Sequence, residues 1–504
     1  MRPAFCIPAL LLAVLLQAAP CSVASYAASS SAASRPSTAT QRLAERCDAD
    51  GPLAQSVWGF CAVNLKGDTL VWLNPERRMV PASNLKLITT GAALLALGPG
   101  YRFRTTFATD GIVAGSTSAV ADNSKSFPGS GMPSAEGCSA GSVSPEADLS
   151  QNILSDGGEN LPAAVLRGNL YILGGGDPMI GDIFPYLPKE DETFGRWYKI
   201  LSDNKIASIE GDIVGEGSWF SAPIPHPDWG TEDLESRDGV VPCGLTWRGR
   251  MGDTIPDGPF SAALHYLEWL SAPASYTGAE NRSAASDTSA VPRIGVSGIA
   301  REWTSADPSP DSLTVLGSIE SLSLAELARI ANCQSDNFIA ETFIKTMGKT
   351  GRGDDSYKSS AEAMHRALSP LGLMSASGQM RFADGSGLSR KNYVSPAFMT
   401  AFLRAMTRSR VWQVFLDSLP YAGEKKTTLE KRLPKAPMAL KRRIRMKSGS
   451  MNGVRCFSGY ILPADGRKEN TIVFSILTNN AVAQGSQVYH TIDAMVESLA
   501  KENE

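Results

Sequence analysis

Pro81-Ala-Ser-Asn-Leu-Lys-Leu-Ile-Thr-Thr90 sets a serine and a lysine three residues apart, Ser83 and Lys86, at the head of an apolar run. Leu85, Leu87, Ile88, Ala92, Leu94, Leu95 and Leu97 recur at helical spacing, and Gly98-Pro-Gly100 stops the run. Ser83 is therefore expected at or near a helix N-terminus. Residues i and i+3 share a helix face, so the lysine amine comes within reach of the serine hydroxyl without a distant segment. A lysine in a low-dielectric cleft beside a second cation can lose its proton and then take the serine's. On its own the pair reads as a helix cap and a solvated charge, so any chemistry needs partners from elsewhere in the chain.

Composition bounds what those partners can be. The chain has 504 residues, 43% of them hydrophobic, which is ample for more than one core. A net charge of -3 argues against a nucleic-acid partner. Lys441-Arg-Arg-Ile-Arg-Met-Lys447 is basic only locally and reads as a surface patch, apart from its last member. The N-terminus carries Arg2, an apolar stretch from Ala4 to about Ala19, and small residues through Ala27. Residues 1–27 thus read as a secretory signal, too short in its apolar core to span a membrane. The expected location is exported and periplasmic, with no transmembrane anchor after cleavage. Cys21 as a lipidation site is a weaker reading, because Pro20 precedes it.

Losing the signal removes Cys6 and Cys21 from eight cysteines and leaves six, Cys47, Cys61, Cys138, Cys243, Cys333 and Cys456. An even number in an exported chain permits disulfides, and Cys47 with Cys61 is the expected pair. Their spacing matches no zinc pattern, and with only four histidines no metal or other cofactor is expected.

Taken in order, residues 28–40 are Ser/Ala/Thr-rich, and a short polar helix follows around Gln41 to Cys47. Residues 57–65 and 69–73 alternate around Lys66-Gly-Asp68 as a hairpin that leads into the Ser83 helix. Phe103 to Thr109 and the run Leu166 to Leu173 before Gly174-Gly-Gly-Asp-Pro178 read as strands, Ile206 to Phe220 as a strand pair, and Phe260 to Leu270 as a helix. The glycines at 174–176 read as a tight turn, since no Gly-x-Gly-x-x-Gly opens a helix there. Low-complexity segments fall near 115–158 and 271–312. Helical patterns return at Leu322 to Asn332, Ser335 to Lys345, Ser360 to Leu371, Ser395 to Arg408 and Val411 to Leu416. Residues 443–450, 454–462 and 471–478 read as a three-stranded meander, closed by a helix over 490–499. The acidic end of that helix shows no basic amphipathic face for a membrane surface.

Three short motifs now fall in one order: Ser83-x-x-Lys86, Ser335-Asp-Asn337 and Lys447-Ser-Gly449. This is the trio found in β-lactamases and penicillin-binding proteins. Singly, each has a structural reading as a cap, a turn or a bulge. Jointly, on a helix start, an inter-helix loop and a strand, they supply what acyl transfer needs. Ser83 would attack the carbonyl, with Lys86 as base. Ser335, positioned by Asn337, would pass the proton to the leaving nitrogen. Lys447 would keep Lys86 deprotonated and attract a substrate carboxylate, which Ser448 and Ser450 would hydrogen-bond. Gly449 would allow the strand a close approach. The backbone N–H groups of Ser83 and Ser450 would form the oxyanion site.

Pro81-Ala-Ser-Asn-Leu-Lys86, Gly168-Asn-Leu-Tyr-Ile-Leu-Gly-Gly-Gly-Asp-Pro178, Ser335-Asp-Asn-Phe-Ile-Ala-Glu341, Asp384-Gly-Ser-Gly-Leu-Ser389 and Gly459-Tyr460 make the resemblance more specific. Across most of 45–490 the chain resembles the D-alanyl-D-alanine carboxypeptidase/endopeptidase family, the class C low-molecular-mass penicillin-binding proteins. The resemblance implies an α+β fold: a penicillin-recognising, β-lactamase-like domain with an antiparallel sheet flanked by helices, interrupted by an accessory α/β insertion after the nucleophile helix. The expected division is 28–102 and 318–504 for the peptidase domain and 103–317 for the insertion. It implies peptidoglycan stem peptides as substrate and β-lactams as covalent inhibitors. A serine β-lactamase and an inactive peptidoglycan-binding scaffold are the alternatives. Two features depart from the family: Lys447-Ser-Gly stands for the commoner Lys-Thr-Gly, and Val240-Val-Pro-Cys-Gly-Leu-Thr-Trp-Arg248 replaces a Tyr-Gly-Ala segment, so the innermost accessory domain is expected to be reduced or missing.

Overall fold

The computed structural model describes residues 38–115, 164–181, 184–221, 225–236, 238–239, 241–248, 258–272, 294–373 and 378–502. The signal reading, Cys138, most of the low-complexity segment 115–158 and half of that over 271–312 lie outside these residues.

An antiparallel sheet of five strands organises the catalytic lobe, in the order 444–451, 454–461, 472–479, 57–64, 69–73. The first and last parts of the chain thus meet in mid-sheet, where Val57 pairs with Asn479 and Asn64 with Ile472. Central strand Ile472–Asn479 is buried at every residue but the last, as a strand covered on both faces must be. Helix Pro396–Met406 covers one face, where Gly59 lies against Pro396 and Tyr460 donates its hydroxyl to the Leu403 carbonyl. Helix Ala39–Ala49 covers the other, and Trp58 donates its indole N–H to Asp48 there. Because side chains alternate along a strand, Cys61 shares the face of Gly59, and Thr400 reaches its thiol. Cys47 lies across the sheet, on the helix that packs under Trp58. The expected Cys47–Cys61 disulfide is therefore not formed, and Cys47, Cys61, Cys243, Cys333 and Cys456 are all free thiols.

The helix that follows Ser83, Lys86–Leu97, is buried over its first nine residues, Lys86 to Leu94, and ends at Gly98 with φ 85°. Helices Leu324–Cys333 and Asn337–Arg352 pack against it, and the same apolar core continues through Leu327, Ile339, Phe343 and Ile344. The closing helix runs from Gly485 to Lys501, five residues earlier than its apolar pattern indicates.

Residues 104–320 build two further sheets. One holds 300–302, 213–216, 170–173, 104–109 and 314–320 in that order; the other holds 112–114, 164–167, 206–210 and 295–296. The single strand expected over 166–173 is split at Gly168, whose φ is 144°, and each half enters a different sheet. The pair expected over 206–220 divides the same way at Gly211, so its halves do not pair with each other. A Cβ at Gly211 would stand 2.3 Å from the Gly168 carbonyl oxygen, and one at Gly298 2.3 Å from that of Gly211. Glycine is what lets successive chains cross this corner in contact. Helix Glu190–Asp203 was not foreseen, although Phe194, Trp197 and Leu201 carry its buried face at helical spacing.

Candidate active site

Ser83 lies in a single 3-10 turn, Ala82–Leu85, that runs directly into the nucleophile helix. Ala82 just before it holds a left-handed backbone, φ 47°, an unfavourable conformation for a residue with a Cβ. Two glycines press on this turn. A Cβ on Gly387 would come within 2.0 Å of the Ala82 carbonyl oxygen, and one on Gly449 within 2.6 Å of that of Pro81. The close approach that Gly449 permits is thus to the nucleophile turn itself. Asn84, fully buried, ties the turn to the sheet by donating its amide to the carbonyls of Lys447 (2.7 Å) and Cys456 (3.2 Å).

Lys86 Nζ is fully buried, with Ser83 Oγ at 3.0 Å, Asn337 Oδ1 at 2.6 Å and the Ser386 carbonyl oxygen at 2.7 Å. Two of these atoms only accept, whereas the serine hydroxyl can donate. An ammonium donates to all three; once neutral, the amine can keep two N–H groups on Asn337 and Ser386 and turn its lone pair to the Ser83 proton. Burial lowers the Lys86 pKa to about 8, against the opposing pull of Glu341, Asp384, Asp336 and Asp238.

The Ser386 carbonyl is aimed by Glu341, whose Oε1 accepts the N–H groups of Gly385 (3.1 Å) and Ser386 (2.7 Å). Burial, reinforced by the Asp384 carboxylate, pushes Glu341 up to about 8. Asp384 folds the glycine loop by accepting the N–H groups of Gly387 and Ser389. Neither acid was singled out beforehand as a site residue. Both stand in stretches whose resemblance to a family signature was the only available signal.

Lys447 on the edge strand is also fully buried, with Nζ 2.9 Å from Ser335 Oγ and 2.8 Å from the Ser448 carbonyl oxygen. Burial, then the nearby Lys86, lowers its pKa well below the ordinary lysine value. Two buried amines close enough to repel share protonation unfavourably. Ser335 is outside the helix that its apolar pattern suggested it heads, in a left-handed conformation with φ 61°, and Asp336 is the N-cap, accepting from the Ile339 N–H. Asn337 contacts Lys86 and, through Nδ2, the Asp238 carbonyl at 2.9 Å, while Ser335 is held by Lys447.

Ser83, Ser335, Ser448 and Ser450 line one cleft of about 480 Å³, and Thr427, Thr428, Glu430, Lys431, Arg432, Phe457 and Tyr489 complete its walls. Ser448 Oγ is 3.0 Å from Thr428 Oγ1. The 427–432 wall carries no motif, and only the chain's return over the edge strand brings it here. Among the described residues no cluster of His, Cys, Asp and Glu could hold a metal ion.

An antiparallel sheet with a serine, two buried lysines and a Ser-Asp-Asn turn at one cleft defines the class of penicillin-recognising serine hydrolases. The model of the D-Ala-D-Ala carboxypeptidase 3 (S13) family matches residues 39–121 and 298–502, and the chain belongs to that family. It is a serine-type peptidase. A D-alanyl-D-alanine carboxypeptidase from Actinomadura sp. (strain R39) is 26% identical over 462 residues, 85% of this chain and 79% of that one. The penicillin-sensitive carboxypeptidase A of Dictyostelium discoideum is 32% identical over 187 residues, covering 35% of this chain and only 34% of that relative. Penicillin binding protein 4 of Haemophilus influenzae shares the fold with a TM-score of 0.63 at 17% identity, over 92% of this chain and 99% of that one. A predatory peptidoglycan endopeptidase of Bdellovibrio bacteriovorus gives 0.52 at 16% identity, over 89% and 94%.

Proposed function

We propose that the chain hydrolyses D-alanyl peptide bonds of peptidoglycan stem peptides through an acyl-enzyme on Ser83, and that β-lactams acylate the same oxygen. The observation that carries this reading is the buried Lys86 amine 3.0 Å from Ser83 Oγ, with Asn337 and Ser386 accepting two of its N–H groups, so that once neutral it can turn its lone pair to the serine proton. Ser83 Oγ attacks the carbonyl carbon, Lys86 takes the proton, and the leaving nitrogen receives one through Ser335, which Lys447 holds. Water then cleaves the ester. The backbone N–H groups of Ser83 and Ser450 would bind the oxyanion, and Ser448 with Ser450 the carboxylate of the leaving residue. A carboxylate arriving beside Lys447 favours the ammonium form there, and that charge in turn disfavours a proton on Lys86.

An open cleft that extends along Thr427, Thr428, Arg432 and Tyr489 leaves room beyond a terminal alanine, which favours cross-link cleavage alongside carboxypeptidase action. The apolar N-terminal stretch supports export to the periplasm, and no helix of the described residues is long and apolar enough to cross a membrane. The intact contacts of both lysines favour catalysis over a spent scaffold. The test is a labelled penicillin with purified cross-linked muropeptides. Wild type should take one label and release D-alanine or cleaved stems, and Ser83→Ala should do neither. Label retained at the same peptide in Ser83→Ala would refute the mechanism, and rapid turnover of penicillin would return the β-lactamase alternative.

A further inference from the structure

We propose that Arg248, on the accessory side of the site, is a positioning residue for acylation: with Tyr186 it clamps Asp336 and so fixes Ser335 and Asn337 on either side of it. The inference rests on the serine-peptidase reading of the site. Arg248 Nη2 is 2.8 Å from Asp336 Oδ2, and the two side chains are 6% and 1% exposed. Tyr186 donates its hydroxyl to the same oxygen at 2.6 Å. The guanidinium gives a second N–H to the Pro178 carbonyl at 3.1 Å and lies between the rings of Phe184, 5.1 Å, and Phe338, 4.7 Å from their centres. Phe184 and Tyr186 stack on each other, so the clamp is rigid on both sides.

Asp336 spends its other oxygen on the Ile339 N–H as the helix cap. Its carboxylate therefore has no freedom left, and the residues flanking it inherit that constraint. Ser335 is held in a left-handed conformation that a serine does not choose by itself, and such strain persists only where surroundings over-determine it. Asn337 must present Oδ1 to Lys86, and its Nδ2 is taken by the Asp238 carbonyl, again from the accessory side. A buried ion pair of this kind adds little net stability over apolar packing, but removing one partner strands a charge. Here the stranded charge would belong to Asp336, one of the carboxylates that favour a proton on Lys86. Burial tends to raise the Asp336 carboxyl; Arg248 and Tyr186 outweigh it and keep the group ionised.

The experiment measures the second-order rate of acylation by a fluorescent penicillin between pH 5.5 and about 10, a range that brackets the Lys86 transition. Label stoichiometry and thermal midpoint are recorded alongside. In Arg248→Met the rate should fall on the order of ten- to a hundredfold, the scale of a misplaced catalytic group, while each chain still accepts one label. Adding Asp336→Asn, which keeps a capping side chain and removes the buried acid left without its partner, should restore part of the rate. Arg248→Lys should rescue only in part, because an ammonium cannot reproduce the fork. Wild-type rate in Arg248→Met, whatever its thermal midpoint, would overturn the proposal. Should that variant not fold, Tyr186→Phe and Asp336→Asn decide instead: slower acylation at full stoichiometry supports the clamp, and unchanged rates in both overturn it. A wild type that takes no label removes the enzyme reading itself, and this inference with it.

Discussion

The two sheet systems of this molecule handle backbone proximity in opposite ways. In the catalytic lobe, four strands of eight residues and an edge strand of five pair antiparallel with one bulge, between Ala62 and Val63, and Gly449 stands against the turn that holds Ser83. In the accessory lobe, strands of two to seven residues are broken by glycines at the corner itself, and each chain segment serves two sheets. A long register fixes the positions of reacting atoms, whereas a corner of crossing glycines fixes only the path of the backbone. Chemistry should therefore be most sensitive to changes at the first kind of contact, and stability to changes at the second.

The largest effect should come from the reacting atoms. Ser83→Ala and Lys86→Met are each expected to lower D-alanine release by roughly 1,000-fold or more, measured as kcat/KM on a peptide ending in D-Ala-D-Ala. The pH profile sharpens the assignment. Lys86 works as a base only when neutral and its pKa is lowered to about 8, so acylation should rise as pH climbs through 8 and fall below it. A profile flat from pH 6 to about 9.5 would remove Lys86 from that role.

Next comes the contact between strand and turn. Gly449→Ala puts a Cβ 2.6 Å from the Pro81 oxygen and 2.8 Å from the Asn84 nitrogen. It should cost about 1–3 kcal/mol, seen chiefly as at least a tenfold loss of acylation rate rather than of thermal midpoint. Asn84→Ala loses the two bonds from the turn to the sheet and is expected to cost ~1–3 kcal/mol, measurable by denaturant unfolding together with acylation rate. Gly211→Ala in the accessory corner meets the Gly168 oxygen at 2.3 Å. It should cost a similar ~1–3 kcal/mol, but read out as faster amide exchange over 164–173 and 206–216, with a smaller change in acylation. An equal or larger acylation loss in Gly211→Ala than in Gly449→Ala would break the contrast between the lobes. The smallest effect is expected from Arg104→Ala at the exposed pair with Glu320, at most ~1 kcal/mol by unfolding and none on rate.

How much was legible in the sequence follows the same division. The strands of the catalytic sheet read correctly because 57–64 and 472–479 are largely apolar runs between clear breaks, and 444–451 and 454–461 flank the turn at Asn452-Gly453. Gly168 and Gly211 misled because a glycine inside an apolar run does not say whether the strand bulges, bends or changes sheet. The helix 190–203 was passed over although its acidic first turn and spaced aromatics were visible. The disulfide expectation failed on parity: a short separation between Cys47 and Cys61 says nothing about which face of the sheet each thiol takes.

By itself the sequence determined the order and spacing of Ser83, Lys86, Ser335, Asn337 and Lys447, because each motif is local and its residue types are those the chemistry requires. Tertiary structure alone decided that Lys86 receives two acceptors from residues 251 and 300 positions away. It alone decided that Asn84, Glu341 and Asp384 hold the turn and loop around it, and that Arg248 reaches across from the accessory lobe to Asp336. The reason is physical. A catalytic group is recognisable from its own chemistry, but its pKa and direction are set by burial and by hydrogen-bond partners, and those exist only once distant segments have packed.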